Sequence, residues 1–231
     1  MTTLRNSPSK PKDKAPSLRV WDAPTRLFHW LLVATIFLAW WTASNGQMDW
    51  HIKAGYVALG LVVFRIYWGV VGSSTSRFST FVRGPRATLS YLRELPKRLA
   101  SSAPGHNPLG AWSILAMLGI LAAQIVLGLF AVDVDGLNSG PLSDRVSFDT
   151  GRLCAQVHQT LFWVLLGFIA LHILAVLFYL FYKRENLIGP MVHGRRSDIA
   201  TEPKMASLWK AVIGVILAVA AVYAVANGLK V

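Results

Sequence analysis

The amino-acid sequence predicts an all-α integral membrane protein: a four-helix bundle that crosses the bilayer, with one additional C-terminal transmembrane helix. Three observations predict it. Hydrophobic residues make up 54% of the 231 positions and charged residues only 15%, whereas soluble domains carry about a quarter charged. The deficit is uneven. Five stretches, 27–44, 52–71, 111–132, 157–182 and 208–226, are nearly free of charge, and each meets or approaches the roughly 20 apolar residues needed to cross about 30 Å of hydrocarbon. Finally, the segments between them alternate between basic and non-basic.

That alternation accounts for the net charge of +12. Six of the 23 Lys and Arg lie in residues 1–26, six in 72–110 and five in 183–207; residues 45–51 have none, 133–156 have two, and the C-terminal tail has Lys230 alone. Positive residues collect on the cytoplasmic side of membrane proteins, so the N-terminus and the second and fourth connections are expected in the cytoplasm and the C-terminus outside. The basic balance therefore points to membrane lipid and not to nucleic acid.

Residues 1–17, rich in Pro, Ser and Lys, are expected to be disordered. Asp22 followed by Ala23-Pro24 predicts a helix start, an acidic N-cap with proline in the first turn, for a helix running to about Trp41. The first apolar stretch is longer than a signal core and opens with a histidine and a tryptophan, so it reads as a retained helix. The short connection at 45–50 makes the first two helices an antiparallel hairpin. A short surface helix is expected at 87–99, before Pro104. Residues 133–152, acidic and containing Gly136, Gly140 and Pro141, form the expected outer loop, and 184–201 lead to the last helix. Trp40, Trp41 and Trp50 fall at the predicted outer interface and Trp21, Trp68, Trp112 and Trp209 at the inner one, as in aromatic belts. The last helix carries Gly214-x-x-x-Ala218 and Ala220-x-x-x-Ala224; small residues four apart permit close helix approach, either within the bundle or to a second subunit in an oligomer.

The chemistry lies in the histidines. His106 and His193 fall in predicted cytoplasmic loops and read as surface residues. His29, His51, His158 and His172 fall within or at the ends of apolar helices, where polar side chains are costly and face the bundle interior. His51 and His158 open the second and fourth helices from the outer side and should be level. His29 lies about two turns into the first helix from the inner side. His172 follows His158 by 14 residues, about 21 Å along a helix and within about 40° of the same face. Depth therefore pairs His51 with His158 and His29 with His172. Two imidazoles opposed across neighbouring helices suit six-coordinate haem. Structural zinc wants four grouped ligands, and the chain has one cysteine, Cys154, and no C-x-x-C-H for covalent haem attachment. Arg65, 14 residues after His51, should reach the inner level and pair with haem propionates. Arg26, one turn before His29, is a second candidate; snorkelling to headgroups is the alternative for both.

The runs VWDAPTRLFHW, HIKAGYVALGLVVFRIYWGVVG and VHQTLFWVLLGFIALHILAVL resemble the bacterial and nickel-hydrogenase cytochrome b561 family, over roughly Arg19 to Tyr182. The resemblance implies a four-helix membrane cytochrome of the bacterial inner membrane, binding two haem b through His29, His51, His158 and His172. It divides the chain into a basic cytoplasmic N-terminus (1–18), a diheme domain (19–183), and a connection plus fifth helix (184–231) that the four-helix pattern lacks. It implies electron transfer between a quinone pool and a periplasmic redox protein, either a c-type cytochrome or a hydrogenase. The alternative it allows is direct reaction with superoxide, with quinone as acceptor, for which Lys53 beside His51 would attract the anion. The outer loop, with Asp133, Asp135, Asp144 and Asp149 against Arg145 and Arg152, would steer a basic cytochrome toward the outer site, unless it is acidic only because Lys and Arg are kept from that side.

Overall fold

The computed structural model describes residues 17–97, 105–135, 137–199 and 201–229; the expected disorder of the N-terminal residues falls almost entirely outside these. Among the described residues there are eight α-helices, α1 (Ala23–Ser44), α2 (Met48–Val71), α3 (Phe78–Phe81), α4 (Pro85–Glu94), α5 (Pro108–Phe130), α6 (Phe148–Phe181), α7 (Ile188–His193) and α8 (Leu208–Ala226), with a short 3-10 turn at Ser143–Arg145 and two short strands, β1 (Leu18–Arg19) and β2 (Arg195–Arg196). Among the described residues, α1, α2, α5, α6 and α8 are long and apolar enough to cross a membrane.

Capping sets the helix starts. The Asp22 carboxylate accepts Thr25 N at 2.8 Å, and its second oxygen accepts Trp68 Nε1 at 3.1 Å, tying the start of α1 to the end of α2. Asn107 accepts Gly110 N at 2.7 Å ahead of Pro108, a capped start with proline at the first position. Ser147 accepts Thr150 N at 3.3 Å and starts α6 nine residues before the expected position 157. Hydropathy stops at Asp149, Arg152 and Gln156, but a Ser cap with Asp149 in the first turn favours helix there. The outer loop is therefore shorter than 133–152, and Asp149 and Arg152 ride on α6.

In the bundle α1 lies along α2 and α5 along α6, and α2 joins the two hairpins through α5. Ala58, Val62, Leu121, Ile125 and Leu165 form the shared core, flanked by Leu32, Ile36, Leu59 and Leu118. Large apolar side chains such as Phe37, Trp163 and Leu174 stay exposed, the surface hydrocarbon requires. Helix α8 packs on the far side of α2. Its Gly214–Ala218 face is occupied within the chain, where Gly214 meets Tyr67 and Phe64, and Ala218 and Val222 meet Gly60, whereas Ala220 is exposed.

The two ends differ. At one, α1 and α2 meet through the tight turn at 45–47, α5 and α6 through 131–147, and Arg145 donates to Gly228 O at 2.5 Å beside the end of α8. At the other, basic end, the connections fold into a cap. Leu18 pairs with Arg196 and Arg19 with Arg195, and Gly194 O receives both Val20 N and Trp21 N. Gly194 has φ +83°, and a Cβ there would lie 2.8 Å from Trp21 O, so this crossing requires glycine. Buried Arg196 pairs with Glu185 at 2.9 Å and also with Asp198. Thr75 Oγ1 donates to Val20 O at 2.8 Å and Ser73 Oγ accepts Ala206 N at 2.8 Å. Helix α4 is fastened by Tyr91 on Tyr179, with Tyr182 donating to Pro96 O at 2.8 Å and Lys183 Nζ to Lys97 O. Trp112 and Trp209 are exposed at this end, but Trp21 and Trp68 are not belt residues: Trp68 is 1% exposed and Trp21 8%, because the cap folds over them.

A side chain at Gly214 would overlap Tyr67 and Phe64, its Cβ falling 2.8 Å from the former and 3.0 Å from the latter. Gly214→Val should therefore destabilise the α2–α8 contact by about 1–3 kcal/mol. Gly119→Ala, where a Cβ meets nothing within 4 Å, should be near neutral. Thermal unfolding in detergent compares the two.

Candidate functional site

At the end away from the cap, the first turn of α2 carries His51 and α6 carries His158. Their ring centres are 6.0 Å apart, with planes at 87°. Each ring is fixed by a neighbouring helix: His51 Nδ1 lies 2.8 Å from Ala39 O of α1, and His158 Nδ1 lies 2.8 Å from Gln124 O of α5. A carbonyl oxygen only accepts, so both Nδ1 atoms carry the proton, and in the neutral ring each Nε2 keeps a lone pair. Gly128 is one turn beyond Gln124, and a Cβ there would fall 3.0 Å from His158 Cε1 and 3.2 Å from Nδ1. Gly55, one turn beyond His51, has nothing within 4 Å of its Cβ position. Both glycines keep the faces beside the imidazoles flat.

The second pair lies toward the cap. His29 is in the second turn of α1, its ring 4.9 Å from Trp30, and its buried Nδ1 has no hydrogen-bond partner among the described residues. His172 lies on the same unbroken helix as His158, about 21 Å further along. His29 and His172 are electrostatic neighbours across α1 and α6, helices that share no extended packing.

Arg65 and Arg26 have different surroundings. Arg65 is 5% exposed; it donates to Ser76 O at 3.2 Å and its guanidinium lies 4.8 Å from the Phe78 ring, with Asp22 as the nearby opposite charge. Arg26 instead reaches the cap, donating to Val192 O at 2.5 Å, although its buried Nε has no partner among the described residues.

Two residues escape the sequence reading. His106 is not a surface residue: its ring sits 4.7 Å from Trp21 and 4.8 Å from Phe81, because the cap folds over a connection that sequence places in solvent. Burial first, then Arg65 and His172, push its imidazole down to about 3. Gln124 is buried in α5 with its side-chain oxygen unpartnered among the described residues; an amide inside an apolar helix was the available signal.

The donor set is therefore one close imidazole pair, His51 and His158, and nearer the cap two further imidazoles, His29 and His172, that interact electrostatically. No three His, Cys, Asp or Glu gather as a metal cluster among the described residues. A metal–imidazole bond of about 2 Å plus about 1.1 Å from nitrogen to ring centre puts two rings sharing one metal about 6 Å apart. The His51–His158 separation fits that distance, and the lone pairs of Nε2 fit an axial ligand role.

At the same end, Lys53 Nζ sits 4.4 Å over the Trp50 ring. In the loop, Asp133 accepts Asn138 N and Nδ2 at 3.0 Å each, shaping the turn, whereas Asp135, Asp144 and Asp149 are exposed.

Comparison with known proteins matches residues 20–194 to the model of the prokaryotic cytochrome b561 family. The chain is 26% identical to a protein of Azotobacter chroococcum named "Probable Ni/Fe-hydrogenase B-type cytochrome subunit", over 79% of this chain and 90% of that one. A Cupriavidus necator protein of the same name is 25% identical over 77% and 86%. The Escherichia coli K12 "Probable Ni/Fe-hydrogenase 1 B-type cytochrome subunit" is 24% identical over 80% and 93%. No solved structure matches the chain. The five apolar spans, the imidazoles set into them and a family match over most of the length lead to one conclusion: this chain belongs to the prokaryotic cytochrome b561 family, a membrane electron-transfer protein of the haem b type.

Proposed function

We propose that the chain is a diheme cytochrome b carrying electrons across the bacterial inner membrane, between a quinone pool and a periplasmic redox protein. The observation that carries the reading is the pair of imidazole levels on one helix, with the His51 and His158 rings 6.0 Å apart and both held through Nδ1. In this reading His51 with His158 and His29 with His172 are the axial ligands, within a haem-binding unit of residues 19–183. Haem b, when bound, supplies a one-electron iron couple inside the hydrocarbon. The protein's residues orient and tune it. Ala39 O and Gln124 O draw on the Nδ1 protons, making the two rings more basic ligands. Gly128 and Gly55 let a flat ring system approach α5 and α2. Arg65, buried at the basic end, meets a carboxylate there; Arg26, engaged with Val192 O, serves the cap first. The positive-inside rule makes the capped end cytoplasmic and the His51–His158 end periplasmic.

Hydrogenase is the favoured electron donor, supported by the names of the relatives. A basic c-type cytochrome is the second reading, favoured by exposed Asp135, Asp144 and Asp149 near the periplasmic site. Lys53, stacked on Trp50, is engaged as an interfacial anchor, and direct attack on superoxide gains no support from it.

The pyridine haemochrome assay on purified protein should give two haem b per chain; one or none would end the diheme reading. His51→Ala and His158→Ala should lose the same spectral component, and His29→Ala and His172→Ala the other. A match between the His29 and His158 variants would instead break the pairing.

Gly128→Ala, which crowds the His158 ring, should shift or weaken only the component lost in His158→Ala, leaving the other intact in the reduced-minus-oxidised spectrum.

Exchange of Asp135, Asp144 and Asp149 for asparagine should slow electron exchange with a basic cytochrome c at low salt, without altering either haem spectrum. The difference should vanish as the Debye length falls from about 10 Å at 0.1 M toward about 3 Å at 1 M. A rate indifferent to both changes would show that the loop is not a docking site.

A further inference from the structure

His106 belongs to neither imidazole pair, yet it is set as firmly as either. Its ring is held against Trp21 and Phe81, and the next residue, Asn107, is pinned as the cap of α5 while donating to Tyr179 at 2.9 Å. His106 Nδ1 is sealed from solvent and has no hydrogen-bond partner among the described residues. A buried polar atom left unpaired costs about 1–3 kcal/mol, so packing alone is a poor reason to keep a histidine where phenylalanine would fit. The ring's electrostatic neighbours are Arg65 and His172. Arg65 has five N–H donors, and Ser76 O accepts from NH1. The surrounding Trp21, Phe78 and Phe81 rings strip water from any anion placed here, which then needs both a charge partner and hydrogen-bond donors.

We propose that His106 donates a hydrogen bond to a carboxylate of the porphyrin held between His29 and His172, sharing that polar edge with Arg65. This rests on the diheme reading. It adds a residue that touches the cofactor's carboxylate and not its iron. The imidazole offers an N–H donor to that carboxylate, and Arg65 supplies the charge. Spreading the carboxylate's negative charge over these donors weakens its stabilisation of ferric iron. His106 therefore makes the basic-end haem easier to reduce and leaves the other, about 21 Å away along α6, unaffected.

The test is a redox titration of the purified holoprotein, followed by absorbance, for wild type, His106→Phe and His106→Gln. The basic-end component is identified as the one lost in His29→Ala. Phenylalanine keeps the contacts with Trp21 and Phe81 and removes the donor; glutamine keeps a donor. Both variants should retain two haems. At the ambient potential that half-reduces the wild-type basic-end haem, His106→Phe should raise its oxidised-to-reduced ratio about three- to tenfold, a fraction of what a hydrogen bond to a charged group is worth. His106→Gln should return that ratio most of the way to one, and the other haem should not move. An unchanged midpoint in His106→Phe, a glutamine variant as shifted as phenylalanine, or equal shifts of both haems would each overturn the proposal. If His106→Phe loses the basic-end haem, a His106→Gln protein that keeps it near the wild-type midpoint supports the proposal, and one that loses it too refutes it. Failure of the diheme reading itself would show separately, as a wild type lacking two haems.

Discussion

Inside hydrocarbon, every backbone N–H and C=O must find its partner within its own helix, and any polar side chain must find one across a helix interface. A helical carbonyl still has a second lone pair after its i→i+4 bond, and this chain uses it. Ala39 O on α1 and Gln124 O on α5 each take an Nδ1 proton, from His51 and His158. Each bond fixes a tautomer and a ring orientation, and each ties one helix of a hairpin to its neighbour. The glycines beside the rings, the register of α1 on α2 and of α5 on α6, and the 6.0 Å approach of the two imidazoles all follow from that arrangement.

The two ends of the bundle then diverge. One is closed by the tight turn at 45–47 and the α5–α6 connection, with Asp135 and Asp144 exposed at the same end as the His51–His158 pair. The basic end is sealed by β1, β2, α3, α4, α7 and the buried Arg196–Glu185 pair. A buried ion pair adds little net stability but penalises any arrangement that leaves one partner alone, so it specifies how the cap sits. The seal keeps bulk water from Arg65 and His106, and in water-poor surroundings their hydrogen bonds and charges act at greater strength.

Helix α8 is the departure from a four-helix pattern. Glycine and alanine bring it against α2, and hydrocarbon supplies no hydrophobic drive for helix association, so close packing of small residues is what holds it. Its terminus also reaches the opposite end, where Arg145 meets Gly228 O. The fifth helix thus braces α2, which carries both His51 and Arg65.

By itself, the sequence determined whatever depends on counting along one chain. Five apolar stretches long enough to span, alternating basic connections, the Asp22 cap and the depths of His29, His51, His158 and His172 all follow from composition and a rise of about 1.5 Å per residue. The motifs around His29, His51, His158 and His172 carried the family as well. Hydropathy alone missed the true start of α6, because a capped, polar helical turn reads as loop. What only the tertiary structure decided depends on which groups from distant positions meet. His106 and Trp68 look like loop and interface residues until residues 18–21, 194–199 and 201–206 fold over that end. Arg26, one turn from a candidate ligand, is drawn to Val192 O instead. The proton positions on His51 and His158 are set by carbonyls 12 and 34 residues away. Neither spacing nor composition encodes such meetings; they come from helices packing side by side and leaving each polar group one partner within reach.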